Sequence, residues 1–147
     1  LALFETKWAL DFAWEDILAF TEYMDTYNVK KGQVIFREGS DEKYMCIIAE
    51  GRVNILKDDS ERKNKVIATI EKGSVLGEMS LIDGSPRSAT AVADDHVTLF
   101  LLSRERFDLL LEKKPALGVK LVLKIAKMLS LRLRQTSGTL VDFLKTS

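Results

Sequence analysis

Cysteine, histidine, surplus charge and long apolar runs are all scarce in this chain. Cys46 is the only cysteine among 147 residues, which excludes a disulfide framework or a cysteine-based zinc site within one chain. It stands inside the apolar run 44–49 and reads as a buried strand residue. His96 is the only histidine and follows Asp94 and Asp95 at a turn-like position, where a solvated side chain is expected. The clustered His and carboxylate ligands of a metal-binding barrel are missing, and no metal or cofactor is expected. With no nucleophile–base pair in view, an enzyme is not expected either. Lys+Arg and Asp+Glu both number 22, so the zero net charge gives no global field toward nucleic acid or a membrane surface. No apolar run approaches the roughly 20 residues of a membrane-crossing helix, and no basic-then-apolar signal segment opens the chain. A cytoplasmic location is therefore expected. The chain begins with Leu1 rather than Met, which reads as a trimmed N-terminus.

What is present suits one domain, 1–147, with a single core. In 1–26, Phe4, Trp8 and Phe12 recur every four residues, and Ile17, Phe20 and Met24 follow at three and four, which predicts one or two amphipathic helices over 4–24. From 27 to 102 the pattern is β. Short runs at 27–29, 34–36, 44–49, 52–57, 66–70, 75–76, 88–93 and 97–102 alternate with turn residues, the spacing of an antiparallel barrel or sandwich of about eight strands. Glu50 and Gly51 stand alone between two strand runs, which predicts a tight hairpin. The segment 57–65 is a charged loop. Beyond 102 the residues are helical: Ser103 is a good N-cap for a helix Arg104–Lys113, and Pro115 should break that helix and open another over 115–137.

One stretch, 75–93, carries chemistry instead of pattern. It reads V-L-G-E-M-S-L-I-D-G-S-P-R-S-A-T-A-V-A. Gly77 lets backbone approach a ligand closely, and Glu78 is an acceptor-only carboxylate suited to a pair of hydroxyls. Arg87 offers a planar fork of donors that matches a phosphate. The segment 79–82 is long enough for one helical turn whose free N–H groups point toward an anion. These residues by themselves describe a site for a small hydroxylated anion.

G-E-M-S-L-I-D-G-S-P-R-S-A-T closely resembles the phosphate-binding cassette of cyclic nucleotide-binding domains, as in bacterial catabolite activators and the regulatory subunits of cAMP-dependent protein kinase. The glycines at 32, 51, 73 and 77 extend the resemblance to that family's barrel turns. It implies an α+β fold: an antiparallel β-roll, or double-stranded jelly-roll barrel, with N-terminal helices, a short cassette helix, and C-terminal hinge and lid helices. It also implies that Glu78 holds the ribose 2′-hydroxyl and Arg87 the cyclic phosphate. Ser88 and Ala89, with Gly77, Met79 and Ser80 as backbone or near-backbone contributors, complete the cradle. In the family a Thr after the arginine favours guanine, while Ala or Ser is typical of adenine binders. Ser88 thus points to cAMP, with cGMP the second ligand. The hinge implied by the resemblance lies at Phe107, Leu110 or Leu111. A haem or oxygen sensor on this fold would need more Cys or His than the chain has. The structural alternative is a barrel that binds nothing, in which Glu78 and Arg87 form an ordinary ion pair.

Along 115–137, about 100° per residue puts Leu117, Leu121, Val122, Ile125, Ala126, Met128, Leu129 and Leu133 on one broad side. Lys120, Lys124, Lys127 and Arg134 lie opposite. The arc is wider than the roughly 100° needed to pack on one surface, so two partners are expected. Val122, Ile125, Leu129, Arg132 or Leu133, and Thr136 step by three and four, as a homodimer seam would. The basic side reads as a solvated face before a nucleic-acid stripe. Thr136 and Ser137 resemble the pair at the end of the activators' long helix, which implies a base contact from Thr136 and one across a dimer from Ser137. The competing reading gives the Thr136 hydroxyl to its own helix carbonyl four residues back. The ten residues after Ser137 are too few for a helix-turn-helix, so direct nucleic-acid binding is not expected. The chain reads as a stand-alone sensor or the sensor portion of something longer, such as a transcription regulator, with its downstream effector unspecified.

Overall fold

In the computed structural model the described residues are 13–58 and 65–146, with side chains described as far as 138. The chain divides into two compact units at Asp108/Leu109. In the first, helix α1 (Trp14–Thr21) is followed by eight strands: β1 (Asp25–Val29), β2 (Val34–Phe36), β3 (Tyr44–Glu50), β4 (Arg52–Lys57), β5 (Lys65–Glu71), β6 (Val75–Leu76), β7 (Thr90–Ala93) and β8 (Val97–Ser103). The short helix α2 (Glu78–Asp83) interrupts them between β6 and β7. Of the helices expected over 4–24, residues 4–12 lie outside the described part. The helical register ends at Thr21, so Met24 lies outside it and β1 begins at Asp25.

The strands form two four-stranded antiparallel sheets in the orders β1-β8-β3-β6 and β2-β7-β4-β5, a jelly roll. Cys46 and Ile48 of β3 face Phe36, Val53, Leu76, Ala91, Ala93, Val97 and Leu99 across the interior. Because strand side chains alternate, Met45 and Ile47 point the other way. They are buried as well, so β3 is covered on both faces. That double burial explains why 44–49 is a continuous apolar run and not an alternating one. β5, at a sheet edge, is exposed along nearly its whole length.

The hairpin expected at Glu50-Gly51 does not form. β3 pairs with β6 and β8 while β4 pairs with β5 and β7, so Gly51 is the corner at which the chain leaves one sheet for the other. It has φ 90°, and a Cβ there would strike the His96 carbonyl oxygen. The tight corner therefore needs glycine for conformation and for space. His96 is exposed beside it, its N–H donating to Asp95 Oδ1 at 2.8 Å.

Helix α3 (Arg104–Lys113) starts as expected, with Ser103 Oγ accepting from the Arg106 N–H at 3.1 Å. In the second unit helix α4 runs Pro115–Thr146, past the predicted end at Ser137. Gly138 does not stop it: a glycine inside a helix costs only about 1 kcal/mol relative to alanine, and no proline follows. Gly118 lets α4 close on Leu111 of α3, whose side chain would collide with a Cβ at that position. Within the broad apolar arc Leu117, Leu121 and Ile125 are buried while Val122 and Leu133 are exposed; Leu123 and Leu131, also exposed, lie on the basic side.

Replacing Gly51 by Ala should destabilise the protein by roughly 1–3 kcal/mol, read as a lower denaturation midpoint with an unchanged m-value; a neutral substitution would contradict the sheet-to-sheet corner. Burial pushes the Cys46 thiol from its ordinary 9.0 up to about 12, against an opposing pull from Arg87. Because the folded value is the higher one, this stability is fully present below about pH 9 and is lost as the pH climbs toward 12. At pH 9 native Cys46 should therefore resist iodoacetamide, with alkylation following global unfolding; fast stoichiometric modification of folded protein would refute this.

Candidate functional site

The cassette begins where β6 delivers the chain to Gly77, at φ 77° and ψ 16°. A Cβ there would run into the Arg87 guanidinium and stand 3.0 Å from the Tyr44 carbonyl oxygen, so only glycine fits. Glu78 opens the six-residue α2, where a carboxylate suits the first turn, and is only 4% exposed. Ser80 is buried and its hydroxyl donates to the Glu42 carbonyl at 2.9 Å, pinning α2 to the segment before β3. Gly84, again left-handed, closes the helix with its N–H on the Ser80 carbonyl at 3.1 Å. The hydroxyl and N–H of Ser85 both bond Asp83 and hold its carboxyl below the ordinary value.

The returning chain then fixes Arg87 from both ends. Its backbone N–H donates to the Ser40 carbonyl at 2.9 Å, and its own carbonyl accepts from the Gly39 N–H at 2.7 Å. Its side chain is carried inward: Arg87 is 4% exposed, with Nη1 donating to the Gly77 carbonyl at 3.2 Å and Nη2 to the Tyr44 carbonyl at 2.6 Å. Cζ lies 4.3 Å from the Phe36 ring centroid and 4.4 Å from that of Tyr44. Among the described residues Arg87 forms no ion pair, and its buried Nε has no hydrogen-bond partner. A buried cation without a counter-charge is costly, and a bound anion would relieve that cost.

Glu78, Ser80 and Arg87 are the buried polar or charged residues among those described, and all three belong to the cassette. Of the other expected site residues, Met79 is half exposed and Ser88 exposed, while Ala89 is partly buried before β7. The Ser88 carbonyl accepts from Lys57 Nζ at 2.8 Å. Thr136 makes the bond of the competing reading. It is exposed, and its hydroxyl donates to the Arg132 carbonyl at 2.9 Å, so its polar group is satisfied within its own helix. Ser137 is exposed beside it, and both belong to the second unit. Sequence reasoning missed Phe36 and Tyr44 as the rings around Arg87, because both read simply as strand residues. It also missed Arg104, whose Nη1 donates to the Leu81 carbonyl at 2.7 Å and whose Nε meets Asp108 Oδ1 at 3.0 Å. That bond ties the last turn of α2 to the first turn of α3.

Residues 27–114 match the family model described as the cyclic nucleotide-binding domain. The chain belongs to the cyclic nucleotide-binding domain family. It is 34% identical over 92 residues to a cGMP-dependent protein kinase of Plasmodium berghei, covering 63% of this chain and 10% of the kinase. It is 29% identical over 115 residues to the cyclic AMP receptor protein of Thermus thermophilus, covering 78% of this chain and 53% of the receptor. The crystal structure of a cyclic nucleotide-binding domain from Methylobacillus flagellatus superposes with a TM-score of 0.80 at 33% identity, over 91% of this chain and 75% of that one. The chain thus spans about half or less of the length of these two curated relatives. Its β-roll is the one expected of a cyclic nucleotide-binding domain. Among the described residues no helix is long and apolar enough to cross a membrane.

Substituting Gly77 by Ala should lower stability by about 1–3 kcal/mol through its left-handed backbone and displace the Arg87 guanidinium. The check is a chemical denaturation curve together with loss of the Arg87 side-chain contacts in a crystal structure of the variant.

Proposed function

We propose that this domain is a regulatory sensor that binds a cyclic nucleotide, cAMP first and cGMP second. The observation that carries this reading is Arg87: a buried guanidinium without a carboxylate partner among the described residues, its Nε unpartnered, on the same cassette as the buried Glu78. A barrel that binds nothing would do better with an ion pair there, and Arg87 instead gives two donors to backbone carbonyls. The ligand's phosphate would meet Arg87, and its ribose 2′-hydroxyl would meet Glu78. Backbone of Gly77, Met79 and Ser80, with Ser88 and Ala89, would line the remainder. Support for the ligand class comes from family membership and from relatives named as a cyclic AMP receptor and a cGMP-dependent kinase. Ser88 after the arginine favours adenine.

In this reading 1–147 acts as one non-catalytic module in the cytoplasm. The nucleotide shifts its population toward a ligand-bound state, and the signal is limited by the difference in affinity between the two states. The exposed apolar residues Val122 and Leu133 suit a homodimer through 115–137. The buried Ile125 is already withdrawn from that seam. Thr136 would reach a base only by giving up its bond to Arg132.

Ligand that binds only the native state raises its melting temperature, by the equivalent of about 2.7 kcal/mol at a hundredfold excess over Kd. The parent should show such a shift with cAMP and a smaller one with cGMP. Losing a charged hydrogen bond is worth roughly 1.5–3 kcal/mol, so Arg87→Ala should bind cAMP at least tenfold more weakly by calorimetry. Equal binding by parent and variant would remove Arg87 from the site.

A further inference from the structure

We propose that Phe36 and Tyr44 are positioning residues for the anion-binding arginine, an aromatic corner that holds the guanidinium in place without neutralising it. The proposal rests on the sensor reading for its ligand but on separate observations for its geometry. The two ring centroids are 6.4 Å apart with the planes at 70°, and each lies about as far from Arg87 Cζ as the other, 4.3 and 4.4 Å. Those three distances make a near right angle at the guanidinium. The rings form two walls of a corner and do not sandwich it, so the side away from them is left to polar partners. Two donors there go to the Gly77 and Tyr44 carbonyls, and Nε is left unpartnered in a buried position.

The choice of aromatic walls has a chemical consequence. A carboxylate in their place would fix the guanidinium equally well but would compete with an incoming phosphate for its charge and its donors. Ring quadrupoles attract a cation and carry no net charge. The arginine is thereby kept in one orientation with its full positive charge available. Tyr44 contributes twice, through its ring and through its carbonyl, and its own hydroxyl is anchored on the Ile35 carbonyl at 3.1 Å. Phe36 closes β2 and is buried in the barrel core, so its ring is placed by the same packing that forms the sheet. Neither substitution removes a backbone carbonyl, so changing these side chains isolates the effect of the rings.

The test has two readouts on the full chain. The first is the Nε–Hε resonance of Arg87, assigned by its absence in Arg87→Lys. In the parent it should be displaced by ring currents and protected from solvent exchange. Tyr44→Leu and Phe36→Leu should each move it toward the free-arginine position, and Tyr44→Phe should hold it. The second is calorimetry with cAMP: each leucine variant should bind about thirtyfold more weakly, the scale of a desolvated cation–π contact, and Tyr44→Phe should recover most of the loss. An Arg87 resonance that stays put in both leucine variants overturns the corner, whatever the nucleotide does. A resonance that moves while cAMP affinity holds overturns its role in binding. If the parent binds neither cAMP nor cGMP, the sensor reading falls, and the resonance still decides whether the rings hold the guanidinium. Should Tyr44→Leu fail to melt cooperatively, Phe36→Leu decides both points.

Discussion

A buried guanidinium with no counter-charge among the described residues is the constraint around which this domain is arranged. Taking a cation out of water is expensive unless something replaces its hydration. Here the replacement is assembled from distant parts of the chain: carbonyls from Gly77 and Tyr44 and rings from Phe36 and Tyr44, while Gly39 and Ser40 hold the Arg87 backbone. These partners come from β2, the turn after it, the start of β3 and the end of β6. Losing the guanidinium's place would disturb both sheets, because each sheet contributes some of the groups that hold it. The site and the barrel are in this sense one structure.

The jelly roll supplies that convergence. Its strand order brings β3 and β6 side by side in one sheet and β2 and β7 side by side in the other, so both ends of the cassette emerge beside the residues that receive them. Two glycines make the path possible. Gly51 turns the chain from one sheet into the other under the His96 carbonyl, and Gly77 leaves room for Arg87 against the backbone. In both places the left-handed backbone and the absent Cβ are needed together. Ser80 then anchors the cassette helix to Glu42, and Arg104 links its far end to α3. The cassette is held at its start, along its length and at its end, the arrangement required if a ligand there is to move anything beyond it.

The two cassette charges differ in kind. Glu78 sits at the start of a helix, where the backbone favours a carboxylate before any ligand arrives. Arg87 has no such local support and depends on tertiary contacts for its position. The long α4 shows a related contrast: its satisfied polar groups, such as Thr136 on the Arg132 carbonyl, are local, while the covered and uncovered parts of its apolar arc are not a property of the helix.

The sequence by itself determined the strand and helix pattern, the cassette with Gly77, Glu78 and Arg87, the Ser103 cap and the buried state of Cys46. These follow from periodicity, from the conformational limits of glycine and proline, and from chemistry carried by neighbouring residues. Only the tertiary structure decided that Glu50-Gly51 is a corner between sheets and not a hairpin, because strand pairing depends on partners far along the chain and a two-residue turn looks the same in both cases. It alone decided that α4 continues through Gly138, since one exposed glycine costs a helix too little to end it. It alone placed Phe36 and Tyr44 around Arg87. A ring in a strand signals burial in the sequence, and what it is buried against is fixed only when the two sheets close.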